Sequence, residues 1–287
     1  MTHIVVIGYA SMDYPLQLAG AWQRNHTVMI RDRSAQDWPK PGGCAAYVAG
    51  PISAAGVKTS VITWVGSDDL GLLYREHAAA QGIDCEGIQL VGSAQTPVCM
   101  LVYEPDGACT CLFDPGFLGR ERLHERQVEL ICQADAVCIT VGPPAIGLRA
   151  LELARPDALV AWVAKNDLVS FPAPLMQQLG QRADYIFCNG AERIAIEAAL
   201  APRRRPPLGI IQSAGAGEVL VDASGQRFTV PVQPLDVVDT TGAGDALAGG
   251  TLAALLSGTS ALHGAVAAGV DAAFRLLSQR VPQSVQR

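Results

Sequence analysis

The chain has 287 residues, 49% of them hydrophobic and 17% charged, with a formal net charge of −6 at pH 7. This length suits one α/β unit with a large core and an added subdomain. Apart from the three arginines at 203–205 the basic residues are scattered, which argues against a nucleic-acid partner. The N-terminal apolar run is too short for a signal peptide or a membrane span. The eight cysteines include no CxxC pair, so we expect reduced, buried thiols in a cytoplasmic protein.

Short runs rich in β-branched residues predict buried strands. They lie at 3–8, 60–66, 136–141, 159–163, 185–188 and 209–212. Helical segments are predicted between most of them, at 44–55, 72–81, 122–133, 173–181 and 191–200. Strands that alternate with helices predict a doubly wound, mostly parallel sheet inside a three-layer α/β/α arrangement.

Residues 14–40 and 86–113 interrupt this alternation. In the second region two apolar runs flank the sequence EPDG at 104–107, a strong turn signal between strands. We expect both regions to form a small β-sheet lid over the carboxyl ends of the parallel strands, where open α/β sheets bind ligands. Pairing of two lids would cover their exposed edges, which favours a homodimer. The large domain is then predicted at 1–13, 41–85 and 114–287.

The sequence DTTGAGD at 239–245 precedes an almost uncharged helical segment. The amides of Gly242, Ala243 and Gly244 would lie at the helix N-terminus, where N–H groups and the helix dipole favour an anion. Asp245 would lie in the first turn as an ionised carboxylate beside that anion hole. Such a pair suits phosphoryl transfer, in which a base takes the proton of the attacking hydroxyl. Taken alone, the motif equally fits a glycine-rich helix entry capped by aspartate.

Two common nucleotide-binding motifs are missing. The chain contains no Gly-Lys dipeptide, which excludes a P-loop. Leucine stands at the third glycine position after both Gly-Ala-Gly segments, so the G-x-G-x-x-G fingerprint of dinucleotide sites also fails.

The DTTGAGD segment resembles the second signature of the ribokinase/PfkB family of carbohydrate and nucleoside kinases, D-T-x-G-A-G-D. Further matches follow in family order along most of the chain. They are Gly8 with Asp13, Gly42-Gly43, V-G-x-D-x-x-G at 65–71, Gly82-Ile83-Asp84, and N-x-x-E at 189–192. The resemblance implies a ribokinase-like fold and a kinase that uses ATP and Mg²⁺ to phosphorylate a hydroxyl of a small sugar or sugar-like metabolite.

The resemblance also implies roles for individual residues. Asp245 is the catalytic base, and Gly242, Ala243 and Gly244 form the anion hole. The acceptor-binding residues are Asp13, Gly42, Gly43 and Tyr47, and the nucleotide-binding residues are Asn189, Glu192, Ser213, Gly215 and Thr240. Glu192 would contact Mg²⁺ through water, and a monovalent cation such as K⁺ near the anion hole is left open. From the residues alone, Asn189 and Glu192 equally fit a helix cap.

Three departures from the family pattern leave the acceptor open. Tyr47 stands where a substrate-binding asparagine is common, the loop at 213–218 shifts its last glycine, and Ala164-Lys165-Asn166 replaces the frequent D-P-N. Lys165 fits either a phosphate contact or a solvated loop. A nucleoside kinase is one alternative, encouraged by aromatic residues such as Tyr14 near the acceptor side, and a catalytically weak sugar-binding regulator is another.

Overall fold

The structure, a computed structural model, describes residues 2–33, 38–117, 119–200, 206–214, 217–259 and 261–280. Within these ranges the strands are β1 His3–Ile7, β2 Ser11–Leu18, β3 Ile30–Asp32, β4 Lys40–Gly42, β5 Lys58–Gly66, β6 Ile88–Val91, β7 Val98–Tyr103, β8 Cys109–Asp114, β9 Ala136–Ile139, β10 Leu159–Val163, β11 Tyr185–Asn189, β12 Gly209–Ser213, β13 Glu218–Ala223 and β14 Gln226–Pro231. The α-helices are α1 Cys44–Ala54, α2 Asp69–Ala80, α3 Glu125–Gln133, α4 Pro144–Leu153, α5 Ala173–Arg182, α6 Gly190–Leu200, α7 Ala243–Leu256 and α8 Leu262–Ser278.

The main sheet has nine strands in the order β14-β13-β12-β11-β10-β9-β1-β5-β6. The strands from β12 to β6 pair in parallel, and β13 and β14 add an antiparallel hairpin at one edge. The chain runs outward from β1 to β5 and β6 and then crosses to β9 on the other side. The strand order therefore reverses between β1 and β9, where doubly wound sheets open a crevice for ligands.

Helices cover both faces of the main sheet. Along β1, Ile4 and Val6 belong to a core that also includes apolar residues of α1, α2, α7 and α8. Val5 and Ile7 belong to a second core with residues of α3, α4, α5 and α6. Side chains of a strand alternate between faces, so a fully buried β1 requires apolar residues on both faces. The expected three-layer α/β/α fold is confirmed.

A smaller sheet joins β3, β2, β7 and β8 in that order, and β4 also pairs with β2. Its strands lie between 11 and 42 and between 98 and 114. The predicted lid covered 14–40 and 86–113, so the small sheet begins earlier than predicted and leaves out β6, which pairs with β5 of the main sheet. The division into two domains and the role of the small sheet as a lid stay predictions.

Every predicted strand of the main sheet has its counterpart in the fold, as have all the predicted helices. Two helices, α4 and α8, and the hairpin of β13 and β14 have no counterpart among the predicted segments. Across the described ranges, no helix combines the length and the apolar character needed to cross a bilayer.

Candidate active site

The site residues that follow the parallel strands meet at one edge of the main sheet. Asn189 ends β11 and lies opposite Ser213, which ends β12. On the other side of β11, β10 ends at Val163, two residues before Lys165. Parallel strands bring their carboxyl ends to the same edge, so residues that are far apart in sequence become neighbours there.

Helix α7 fixes the position of the DTTGAGD motif. Its residues from Asp245 to Ala253 are all buried, because small and apolar side chains cover every side of the helix. At Gly249, a Cβ atom would lie 2.3 Å from the carbonyl oxygen of Val48 on α1, so only glycine permits this close contact. The tight packing holds the start of α7, and with it Asp245, in one place.

Asp245 is 2% exposed, and among the described residues its Oδ1 atom has no hydrogen-bond partner. The ammonium of Lys165 lies 3.5 Å from this oxygen, as an ion pair rather than a hydrogen bond. The negative charge of Asp245 raises the pKa of Lys165, and that of Glu192 adds to the effect. A buried carboxylate that faces a fixed positive charge and keeps a free oxygen is able to accept a proton.

Cys44 links the surroundings of the two predicted key carboxylates. Burial raises the pKa of its thiol, and the negative charges of Asp245 and then Asp13 raise it further. Both carboxylates therefore lie within electrostatic range of the first residue of α1.

Two of the three predicted anion-hole amides are open. Gly242 adopts a left-handed conformation with φ 78° immediately before α7. This turn brings the amide of Ala243 to the carbonyl oxygen of Thr240, to which it donates at 3.2 Å. The amides of Gly242 and Gly244 have no acceptor within the described part of the chain. Of the three predicted amides, those of Gly242 and Gly244 are thus without an acceptor, and that of Ala243 is already used.

Asp13 is 2% exposed on β2 and already accepts hydrogen bonds from the protein. Ser11 Oγ donates to Oδ1 at 2.5 Å, and the Tyr47 hydroxyl donates to Oδ2 at 3.0 Å. Burial raises the pKa of Asp13 to about 6, although these two hydrogen bonds and the charge of Lys40 oppose the rise. Each carboxylate oxygen accepts two hydrogen bonds, so one position on each remains for an acceptor molecule.

Gly42 and Gly43 make room for Asp13 and for the turn into α1. A Cβ atom at Gly42 would lie 2.0 Å from Asp13 Oδ2. At Gly43 the backbone has φ 88°, and a Cβ atom would lie 2.4 Å from the carbonyl oxygen of Tyr9. Any side chain at either position would displace the carboxylate or the backbone.

Tyr47 contacts both halves of the proposed site. Its hydroxyl donates to Asp13, while its ring lies so close to Gly242 that a Cβ atom there would be 2.6 Å from the ring. Tyr47 therefore connects Asp13 to the turn that precedes α7.

Asn189 and Glu192 cap α6 reciprocally. Asn189 Oδ1 accepts from the amide of Glu192 at 2.9 Å, and Glu192 Oε2 accepts from the amide of Asn189 at 2.7 Å. Glu192 Oε1 also accepts from the amide of Asn166 at 3.2 Å, and burial raises the pKa of Glu192. The helix-cap interpretation holds, and the spare lone pairs of the carboxylate leave a water-mediated metal contact compatible with it.

The remaining predicted nucleotide-binding residues form fewer hydrogen bonds. Ser213 Oγ donates to the carbonyl oxygen of Cys188 at 3.4 Å, and the exposed Thr240 contributes its carbonyl oxygen to the turn before α7. Gly215 lies outside the described residues.

The donor set agrees with Mg²⁺ held mainly through phosphates and water. No cluster of three or more His, Cys, Asp or Glu side chains suited to a metal ion occurs within the described ranges. Mg²⁺ typically binds through one or two carboxylates plus substrate phosphates and keeps several waters. Glu192, whose charge also acts on Lys165, is the carboxylate available for that arrangement.

A cluster around Asp239 was missed by sequence reasoning. Lys40 from β4 forms an ion pair with Asp239 Oδ2, and Tyr103 from β7 donates to Oδ1 at 2.7 Å. Arg280, just after α8, lies 3.3 Å from Oδ1. These partners are 41 to 199 residues away from Asp239, and no local pattern in the sequence could have identified them.

A family model described as "pfkB family carbohydrate kinase" matches residues 1–284. The chain is 28% identical over 277 residues to an ATP-dependent ribose-1-phosphate kinase from Halopiger xanaduensis, and this alignment covers 90% of this chain and 86% of that protein. It is also 28% identical over 262 residues to a nucleoside kinase from Methanothermobacter thermautotrophicus, and this alignment covers 89% of this chain and 83% of that protein.

The fold is similar to that of solved kinases. The ribokinase from Cryptococcus neoformans var. grubii serotype A, crystallised in complex with ADP, superposes with a TM-score of 0.79. The match covers 98% of this chain and 100% of that one at 18% identity. This likeness establishes the ribokinase-like fold.

Proposed function

The chain belongs to the pfkB family of carbohydrate kinases, and we propose that it transfers the γ-phosphoryl group of ATP to a primary hydroxyl of a small sugar or sugar-like metabolite. One observation carries this proposal. Asp245 is 2% exposed, keeps an oxygen without a hydrogen-bond partner, and lies one residue after the free amide of Gly244. A proton acceptor beside an anion-binding helix terminus is the pair that phosphoryl transfer to an alcohol requires.

In the proposed reaction, Asp13 accepts hydrogen bonds from hydroxyls of the sugar and orients it. The attacking hydroxyl gives its proton to Asp245 while its oxygen forms a bond to the γ-phosphorus. The bond between that phosphorus and the oxygen bridging to the β-phosphate breaks, and ADP leaves. The amides of Gly242 and Gly244 donate to the oxygens of the transferring group, where preorganised donors lower the barrier most.

Lys165 neutralises charge in this proposal. Its ammonium, 3.5 Å from Asp245 Oδ1, offsets the negative charge that the carboxylate would otherwise direct at the incoming phosphates. Mg²⁺, when bound, would supply further charge neutralisation at the donor phosphates, and Glu192 and Asn189 would hold it through water.

A nucleoside acceptor is the second candidate. Tyr14, one residue after Asp13, meets Trp38 edge to face, with ring centroids 4.9 Å apart. Trp38 is 37% exposed, and the guanidinium of Arg33 lies over its ring, 5.1 Å from the centroid, so a flat base that stacks on this face would replace the guanidinium. The nucleoside kinase among the relatives supports the same alternative.

A substrate panel separates these functions. ADP release is measured with ATP and Mg²⁺ over pentoses, hexoses, sugar phosphates and nucleosides, and the Asp245→Asn variant gives the background. Turnover with a sugar supports the main proposal, and turnover with nucleosides alone supports the second. Binding of these compounds without ADP release would overturn both and favour the sugar-binding regulator.

The compartment and the assembly are also proposals. We propose a reducing cytoplasm, in which the eight cysteines stay free thiols. Only Cys99, Cys138 and Cys188 are buried, so the expectation of buried thiols is wrong for the other five. The exposed Met100, Leu112 and Phe113 on the small sheet support a homodimer formed through that sheet.

A further inference from the structure

The segment just before the anion hole is held by one arginine. Arg280 Nη1 donates to the carbonyl oxygen of Asp239 at 3.0 Å and to that of Thr241 at 2.7 Å. The same nitrogen lies 3.3 Å from Asp239 Oδ1. Three oxygens of a three-residue stretch therefore surround a single positively charged nitrogen.

The bond to Thr241 has a direct consequence for Gly242. The carbonyl of Thr241 and the amide of Gly242 belong to the same peptide unit, which is planar, with C=O and N–H on opposite sides. Holding the carbonyl oxygen therefore fixes the direction of the Gly242 N–H. A hydrogen bond to the carbonyl also polarises the unit and strengthens its N–H as a donor.

The positive charges around this segment keep Asp239 ionised. Burial would raise the pKa of Asp239, but the positive charges of Arg280 and Lys40 hold it at about 2. Tyr103 adds a hydrogen bond at 2.6 Å between its hydroxyl and Thr241 Oγ1. At neutral pH Asp239 is thus a carboxylate with two cationic neighbours, and Arg280 is the one that also binds the backbone.

We propose that Arg280 is a positioning residue for phosphoryl transfer, because its guanidinium fixes the peptide unit that aims the Gly242 amide into the anion hole. This inference rests on the proposed function. It has a second consequence, since the guanidinium occupies the space among these three oxygens, through two hydrogen bonds and one ion pair, and leaves no room there for a monovalent cation. We therefore expect the enzyme to work without K⁺.

The test compares Arg280→Ala and Arg280→Lys with Arg275→Ala, which removes an exposed arginine from the last turn of α8. We expect Arg280→Ala to lower kcat at least ~10-fold while both KM values change less than ~3-fold, because a misdirected anion-hole donor acts in the transition state. Millimolar guanidinium restores part of this loss. Arg280→Lys retains more activity than Arg280→Ala, and Arg275→Ala is unaffected.

A second measurement uses the wild-type enzyme alone, so its result does not depend on whether a variant folds. Replacing K⁺ with choline leaves wild-type turnover unchanged if Arg280 occupies the space among these oxygens. Strong activation of the wild type by K⁺, or normal kcat in Arg280→Ala, would overturn the inference.

A binding measurement separates this inference from the proposed function. Aluminium fluoride with ADP mimics the transferring phosphoryl group, and calorimetry measures its binding without turnover. We expect Arg280→Ala to weaken binding of ADP with aluminium fluoride ~10-fold or more, but of ADP alone by less than ~3-fold. A wild type that turns over no acceptor contradicts the proposed function, whereas equal effects on both ligands contradict the role of Arg280.

Discussion

The surroundings of Asp13 and of Asp245 differ although both carboxylates are 2% exposed. Asp13 lies on a strand of the small sheet, and both of its oxygens accept hydrogen bonds from Ser11 and Tyr47. Asp245 lies in the first turn of a buried helix, and within the described residues its Oδ1 has no hydrogen-bond partner and forms a 3.5 Å ion pair with Lys165. A buried polar atom is normally hydrogen-bonded, so the incomplete bonding of Asp245 is the unusual feature.

This contrast indicates that the two carboxylates have different functions. A carboxylate whose oxygens are held by neighbours keeps a fixed orientation, which suits the binding of hydroxyls. A carboxylate with a free oxygen beside open amides suits a step in which a proton moves. The predictions below test whether Asp13 acts mainly in binding and Asp245 mainly in the chemical step.

The largest effect is expected for Asp245→Asn. The amide keeps the shape of the side chain but cannot take the proton, so kcat should fall at least ~10²-fold while acceptor affinity stays within a few-fold. Steady-state kinetics and calorimetry measure the two quantities. Asp271→Asn, an exposed position on α8, is the control. Near-normal kcat in Asp245→Asn would remove the distinction between the two carboxylates.

Asp13→Asn should act on binding. Loss of the charge weakens hydrogen bonds from the acceptor hydroxyls, and we expect the acceptor KM to rise ~10-fold or more with a smaller change in kcat. The KM for ATP should stay unchanged, because Asp13 is assigned to the acceptor side. A loss confined to kcat would contradict this assignment.

Lys165→Met should weaken the chemical step through charge. Removal of the ammonium leaves Asp245 without its positive neighbour and exposes the phosphates to its repulsion, so we expect kcat/KM for ATP to fall ~10-fold. Lys58→Met, at an exposed lysine that begins β5, provides the control. An unchanged kcat/KM would indicate that Lys165 is a solvated loop residue.

The smallest effect concerns pH and Tyr47. Because burial raises the pKa of Asp13 to about 6, lowering the pH through 6 protonates this carboxylate, and the acceptor kcat/KM should decrease. Tyr47→Phe removes a hydrogen bond that favours the charged form, so it should move this decrease to higher pH and raise the acceptor KM ~3-fold. A pH profile of Tyr47→Phe identical to that of the wild type would show that Tyr47 does not tune Asp13.

The main sheet was largely predictable because its strands are buried on both faces. Runs such as Ile4 to Ile7 cannot alternate with polar residues when helices cover both sides. Helices α4 and α8 were harder to recognise. α4 begins at Pro144, the second of two consecutive prolines, and the buried residues of α8 are mostly small, such as Ala265 and Gly269, so their hydrophobic pattern is weak.

The candidate site was predictable where its residues belong to local motifs. The N-terminus of α7 follows from the small residues of DTTGAGD and the apolar run after it. The engagement of the Ala243 amide by Thr240 could not be predicted, because it depends on the left-handed conformation of Gly242. The contact of the Tyr47 ring with Gly242 likewise depends on how α1 packs beside α7.

By itself, the sequence determined the alternation of strands and helices and the glycine-rich start of α7, since both depend on residues close together along the chain. The tertiary structure alone decided which charges surround these groups. Lys165 reaches Asp245 and Arg280 reaches Thr241 only after strands and helices have packed, because hydrogen bonds and ion pairs depend on distances in space that the order of residues does not contain.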